Sequence, residues 1–408
     1  MLDSIYIGMS GLTAHSKGLQ TISNNVANLN TPGFKTTTPR FSDLYYGQRF
    51  FGEGPDSARI TSAGSGVEYS YSSLNFKQGE IRKSDGQLDL GIEGPGFLAL
   101  LGEQGVRYAR TGQFVIKDDG TIREKNNDLQ LTTLAADGSL VPVSLDKQRV
   151  SPPKATSSIK FNGNLIMAAA PAAGAPNTDV YSIPNVELYD AAGTKIVTTV
   201  KFTRDRSATS TLPSNMTLWQ VKLENKEGQS LGQGEIRFIS SIIESGADQF
   251  EITIKSGAGD SKLKLDFSGL TQFSNSSDVR VTKADGYGMG TMASLNVNDS
   301  GALVVNYSNG QTTELGTVAM ANFSDPQRLI QLGDGLFDAS QLPPPNYVGS
   351  KQGAGELASG VTEASNVDLS TEFGRLILIQ RGFQASSQVI STANEMIMQL
   401  FQMKSGQG

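Results

Sequence analysis

Ile5, Leu12, Leu19 and Val26 recur every seven residues near the start of the chain. Ile22 and Leu29 fill the intervening line of the same stripe, and Gly8 and His15 interrupt it. This spacing predicts an amphipathic helix over Ser4–Leu29, because apolar positions three and four apart share one helical face. Asp3 or Ser4 is placed to accept from the first free amides. Thr31-Pro32-Gly33 ends the pattern, since proline removes a donor and pushes the residue before it toward extended geometry.

The other end repeats the theme. Leu376, Ile379, Phe383, Ile390, Ala393, Ile397 and Leu400 follow a three-four alternation that breaks at Ser386. A second helix is expected over Leu369–Met403, with Asp368 or Ser370 as its cap and Glu372 as a favourable first-turn charge.

Between the ends the period changes. Short β-branched and aromatic runs appear at Leu74–Ile81, Gly96–Leu101, Phe114–Ile116, Ile196–Phe202, Leu218–Leu223, Phe250–Ile254, Ala302–Tyr307 and Leu315–Ala321. Turn residues separate them, as in Lys117-Asp118-Asp119-Gly120 and Tyr307-Ser308-Asn309-Gly310. This predicts a multidomain, mainly β chain, with two sandwich- or barrel-like domains and long terminal helices in a coiled-coil-like inner domain. Ala168–Pro176 is low in complexity and reads as a surface loop.

Each terminal helix carries an apolar stripe with nothing adjacent in sequence to cover it. Helical stability comes mostly from packing, so the stripes must meet. They can do so as an antiparallel hairpin within the chain, or between subunits as a coiled-coil layer.

Composition narrows the chemistry. The chain has 408 residues, a net charge of −6, one histidine and no cysteine. Disulfides and thiol chemistry are excluded. One histidine cannot build a histidine triad or multi-histidine metal site in one chain, and His15 reads as a packing residue. The acidic balance offers no basic face for nucleic acid. No apolar run approaches the ~18 residues that suggest a membrane span. The start lacks a basic segment followed by a long apolar one, so no cleaved signal peptide is expected. Gly286-Tyr287-Gly288-Met289-Gly290 lacks a Walker lysine and a strand-turn-helix setting. Asp85, Asp89 and Glu93 read as turn residues rather than a glycosidase pair. Trp219 reads as core rather than a sugar platform.

Ser23–Lys35, SNNVANLNTPGFK, resembles the N-terminal signature of the axial proteins of the bacterial flagellum, the rod, hook and hook-associated subunits. The residues that carry it are Asn24, Asn25, Asn28, Thr31, Pro32, Gly33, Phe34 and Lys35. Ala364–Phe373, ASNVDLSTEF, resembles the C-terminal signature through Ser365, Asn366, Val367 and Asp368. Gln380 and Arg381 match the family's following helix, where Phe383 replaces the usual tyrosine. Leu90–Leu101, LGIEGPGFLALL, and Arg110–Ile122, RTGQFVIKDDGTI, resemble the family's central strand-turn-strand and the hairpin after it. The long segment Leu145–Asp285 favours the hook-type layout over the shorter distal rod type.

The resemblance implies a non-enzymatic structural subunit without cofactors. Such subunits are exported by the flagellar type III apparatus and polymerise under a hook cap into a curved hollow tube outside the cell. That tube contacts distal rod and hook–filament junction proteins, and transmits torque as a universal joint. It implies an inner domain of 1–30 with 361–408, an extended linker at 31–71, a middle β domain of 72–145 with 286–360, and an outer inserted domain at 146–285. Ile5, Leu12, Leu19, Ile22, Val26, Leu29, Leu376, Ile379, Phe383, Ile390, Ile397 and Leu400 are the expected assembly residues. The different-class reading is a β-rich enzyme or carbohydrate-binding protein with helical oligomerisation ends.

Overall fold

The computed structural model describes residues 2–51, 59–167, 178–205, 213, 215–256 and 259–405. The Ala168–Pro176 loop lies outside them, apart from which the expected elements can be located. Helix α1 spans Leu2–Ala27 and helix α2 spans Leu369–Ser405. Asp3 and Ser4 fall inside the first turn of α1 rather than ahead of it. Asp368 does cap α2, accepting from the Ser370 and Thr371 N–H groups at 2.9 and 3.3 Å. Those amides, with the Thr371 hydroxyl, hold its carboxyl below the usual range.

The two helices pack antiparallel within the chain. Gly8 lies against Ile390, Gly11 against Ser386, His15 against Gly382 and Gly18 against Ile379. The face of α1 that becomes buried is Gly8, Gly11, Ala14, Gly18, Ile22 and Asn25. This corrects the sequence reading, in which Gly8 broke the seam. The seam runs through the glycines, because two backbones can approach closely only where no side chain intervenes. A Cβ on Gly8 would stand 2.7 Å from Ile390 Cγ1. Of the expected stripe on α1, Ile22 is fully buried while Ile5, Leu12, Leu19, Val26 and Leu29 are half-buried. On α2, Ile379 and Ala393 are buried and Leu376, Phe383, Ile390 and Ile397 half-buried, whereas Leu400 is 50% exposed.

The segment expected as an extended linker is instead β structure. Thr37–Asp43 pairs antiparallel with Val67–Leu74, and Tyr46–Phe51 pairs with Arg59–Gly64. The first pair lies along α1. Phe41 packs on His15 and Tyr69 with ring centroids at 5.7 and 6.2 Å, and the Ser10 hydroxyl accepts from Val67 N–H at 3.2 Å. The Thr31–Tyr71 sequence alternates too weakly to announce a ribbon; its partner face on α1 supplies the order.

The chain divides into two compact units. The first comprises Met1–Asp146, Leu295–Val305 and Thr313–Gly408, so the helices and the β structure beside them form one body. Its β core gathers Phe97, Tyr108, Phe323 and Phe337, with Leu74 and several alanines. The expected Leu74–Ile81 strand is interrupted: Val67–Leu74 and Ile81–Lys83 are separate strands. Leu315–Ala321 likewise divides into Thr312–Val318 and Met320–Asn322. Of the other runs, Ala302–Tyr307 keeps its expected bounds, Phe97–Gly102 is shifted by one residue, and strands such as Thr111–Ile116 and Lys195–Asp205 run longer than expected.

The second unit comprises Lys147–Ser294 and Asn306–Thr312. Its strands follow the order Thr178–Tyr189, Lys195–Asp205, Met216–Asn225, Ser230–Ile239, Ile242–Ile243, Gly259–Phe273, Ser158–Ile166 and Arg280–Ala284. Alternation decides which side chains enter: Thr217, Trp219, Val221 and Leu223 all point into the core. The Tyr181 hydroxyl donates to the Val279 carbonyl at 3.1 Å, tying the first strand to the region of the last. Asp285 closes the unit where its chain ends meet. Its carboxylate accepts from Ser157 and Ser158 N–H at 2.8 Å each and from the Ser157 hydroxyl at 2.7 Å.

Gly8→Leu should therefore overpack the seam by ~1–3 kcal/mol. Amide exchange should quicken in both helices while the β core keeps its protection; unchanged helical protection would contradict this packing. Asp285 supplies a pH dependence. Partial burial works against its ionisation, but the Ser157 hydroxyl, the Ser158 and Ser157 amides and Lys154 outweigh it and bring its pKa down to about 2. A folded-state value below the ordinary one means stabilisation that is present above pH ~4 and lost as pH falls through ~2. Asp285→Asn should cost the second unit ~2 kcal/mol at neutral pH and flatten that acid limb in denaturation titrations.

Candidate functional site: a buried polar junction

Gly33 adopts a φ of +70° just after α1, a left-handed conformation that glycine enters without strain. Its N–H donates to the Glu363 carbonyl at 2.7 Å. This turn drives Phe34 and Lys35 inward, where Phe34 is 5% exposed and Lys35 fully buried. The N-terminal signature thus meets the strand Val361–Glu363 immediately before the C-terminal one.

A buried cation needs a partner, and Glu363 is that partner. Its Oε1 lies 2.5 Å from Lys35 Nζ and accepts from Gly79 N–H at 2.8 Å. Its Oε2 accepts from Arg110 Nε at 3.0 Å. All three side chains are almost wholly buried. Lys35 also donates to the Lys77 carbonyl at 2.9 Å. Arg110 donates to the carbonyls of Gly94 at 2.6 Å, Ile92 at 3.3 Å and Gly96, and lies 5.4 Å from the Phe97 ring centre. Burial pushes the Lys35 ammonium down from its ordinary range, Glu363 draws it back up, and Arg110 adds to the lowering.

Two asparagines complete the junction. Asn25 is fully buried and acts as a surrogate backbone: its amide donates to the Thr37 carbonyl at 2.8 Å and its oxygen accepts from Thr37 N–H at 2.9 Å. The same amide donates to Glu372 Oε2 on α2 at 2.9 Å, while Arg375 donates to Oε1 at 2.8 Å. Asn366 accepts from Thr36 N–H at 2.8 Å and donates to the carbonyls of Asn75 and Lys77 at 2.7 and 2.9 Å. Asn28 folds back on the Asn24 carbonyl at 2.9 Å and accepts from the Thr31 hydroxyl at 3.1 Å.

The signature residues therefore fall into groups. Asn25, Phe34, Lys35 and Asn366 lie in the junction, and Asn28, Thr31, Gly33 and Asp368 shape the chain around it. Ser365 and Val367 are half-buried, and Pro32 and Asn24 are exposed. Gln380 and Phe383 line a groove of about 740 Å³ with Ser16, Leu19, Gln20, Ser23, Asn24 and Ala27; Arg381 is exposed. Glu363, Arg110 and Glu372 were absent from the expected site. No local pattern pointed to them, because the cluster is assembled from segments far apart in sequence.

This arrangement holds and positions. Asp89 is buried, bonded to the Ser84 hydroxyl and to Gln113 at 3.3 Å. Trp219 is fully buried. His15 packs against Phe41 with its Nδ1 unpartnered. Among the described residues no group of three or more acidic or histidine side chains could hold a metal ion, and no helix is long and apolar enough to cross a membrane.

Comparison with known proteins follows the same two ends. Residues 5–35 match the family described as flagella basal body rod protein, and residues 358–403 match the flagellar basal body rod FlgEFG protein C-terminal family. The flagellar hook protein FlgE of Borreliella burgdorferi is 28% identical, covering 99% of this chain and all of that protein. The FlgE proteins of Escherichia coli K12 and Treponema pallidum are 28% and 24% identical, covering 97% and 99% of this chain and 98% and 100% of theirs. Along nearly its whole length the chain is similar to flagellar hook proteins. A crystal structure of Helicobacter pylori flagellar hook protein FlgE2 overlaps with a TM-score of 0.46 at 12% identity, over 69% of this chain and 99% of that one. The first matched segment ends in the buried junction at Lys35, and the second begins beside it and includes Glu363.

Removing Glu363 leaves two buried cations without their acid, a change that typically costs ~3–5 kcal/mol. Removing Lys35 leaves Glu363 its Arg110 and Gly79 donors. In urea denaturation of the first unit, Glu363→Gln should therefore lose more stability than Lys35→Met; the reverse order would refute this arrangement.

Proposed function

We propose that this protein is the structural subunit of a bacterial flagellar hook, polymerising outside the cell into a curved hollow tube that carries torque from rod to filament. The relatives that match it nearly end to end are named flagellar hook proteins. The observation that carries the reading in this molecule is the uncovered apolar surface of its helix pair. The helices already bury their shared seam, yet Leu2, Tyr6, Phe373, Leu378, Phe401 and Met403 remain 51–71% exposed. Large apolar side chains left exposed in this number on one helix pair mark it as an interaction region. Copies of the same pair, laid side by side, would bury it, with the groove at Leu19 and Phe383 as part of the contact.

The division of labour follows from the same facts. Apolar contacts between helices are strong and hold subunits in the wall, whereas exposed polar β surfaces make individually weak contacts that can exchange as the tube bends. The expected partners are a hook cap during growth, rod and junction proteins at the two ends, and the type III export apparatus that delivers the subunit. In this reading the terminal helices form the inner layer and the second unit faces outward.

Electron microscopy of purified subunits supplied with their assembly cap tests the reading: wild-type chain should form tubes. Leu378→Asp and Phe401→Asp alter exposed side chains that pack on nothing within the subunit's seam, so both variants should stay folded and fail to form tubes. Tubes of normal length from both would exclude the helix faces from assembly.

A further inference from the structure

The helices are not matched in reach. Partnered positions fall along α1 as they rise along α2, with Gly18 at Ile379, Gly11 at Ser386 and Gly8 at Ile390. Leu2 therefore lies level with about residue 396, and the last turns of α2, which extends to Ser405, overhang the start of α1. Three of the ten methionines sit in this end of α2. Met396, Met398 and Met403 are 44%, 61% and 71% exposed, and Met9 on the adjacent end of α1 is 53% exposed. Met396, Leu400 and Met403 follow four- and three-residue steps, so they share one helical line beside the buried seam.

Methionine is a distinctive choice for such a line. Its unbranched thioether adapts to several packing arrangements, and surfaces that must repack are rich in it. A subunit whose neighbours shift as a tube bends needs contacts of this kind. The same sulfur is the most oxidisable group in a chain without cysteine. A hydroperoxide transfers one oxygen to it: the sulfur lone pair forms the S–O bond, the O–O bond breaks, sulfur loses two electrons, and hydrogen peroxide leaves as water. The product is a polar, chiral sulfoxide on a surface that assembly must dehydrate.

We propose that this overhanging end is an oxidation-sensitive assembly surface: conversion of Met396, Met398 and Met403 to sulfoxides in the free subunit blocks its addition to a polymer of the same chain, and the polymer shields them. The proposal rests on the hook-subunit reading and adds to it a modification site and its class of oxidant.

The test treats full-length subunits with hydrogen peroxide, maps sulfoxides by mass spectrometry, and follows elongation from preformed tubes. Oxidised wild-type chain should elongate at least tenfold more slowly than untreated chain, and methionine sulfoxide reductases of both stereospecificities should restore the rate. The triple variant Met396→Leu, Met398→Leu, Met403→Leu should elongate after peroxide within twofold of its own untreated rate. Met167→Leu with Met289→Leu, which removes exposed methionines of the second unit, should remain as sensitive as wild type. In tubes, Met396, Met398 and Met403 should oxidise more slowly than in free subunits. Unchanged elongation after oxidation, no recovery with the reductases, or equal loss in the triple variant would each overturn the proposal. Failure of untreated wild-type chain to elongate at all would overturn the hook reading, and this proposal with it.

Discussion

The Glu363 carboxylate, closed off from water between Lys35 and Arg110, is the interaction on which the first unit depends. Lys35 arrives from the turn after α1, Arg110 from the β core, and Glu363 from the strand that leads into α2. Three segments far apart in sequence share one acid. A buried charge cluster is not a large net stabiliser compared with a well-packed apolar one. Its consequence is register: neither helix can slide or rotate without stranding a charge. Asn25 and Asn366 reinforce this by standing in for backbone partners, so the directions in which both helices leave the β structure are set by hydrogen bonds.

With direction fixed by the junction, isoleucines of α2 pack directly against the glycines of α1. Gly8, Gly11, Ala14 and Gly18 let α1 approach α2 closely, and the ribbon carrying Phe41 and Tyr69 covers another side of α1. Other large side chains face outward. Leu378, Phe401 and Met403 are exposed in a single subunit because they lie off the α1–α2 seam. A chain built to stand alone would bury them; a polymer subunit presents them to its neighbours.

The sequence disclosed much of this and misled in one informative way. Helix positions, the alternation at Trp219, the cap at Asp368 and the turn at Gly33 follow from local rules and were readable. The flanking signatures were readable as a resemblance. The seam was not. A heptad of Ile and Leu outweighs glycines in any hydrophobic pattern, yet the glycines form the intramolecular contact, and several of the expected stripe residues lie only half-buried. Pattern reports which residues are apolar, not which partner covers them. Arg110 and Glu363 were invisible for a related reason: a charge cluster is assembled from three distant segments, and no local period announces it. The ribbon after α1 depends on α1 itself, so its own residues signal little.

The chain contains no cysteine, so a single one can be placed at will. The most direct test of the account is maleimide labelling of Leu378→Cys and Phe401→Cys, compared between free subunits and assembled tubes. The account predicts rapid labelling of both in the subunit and strong protection of both in the tube, with a cysteine on the exposed second-unit residue Met289 labelled alike in each. Equal labelling of positions 378 and 401 in subunit and tube would contradict the claim that these helix faces hold the polymer together.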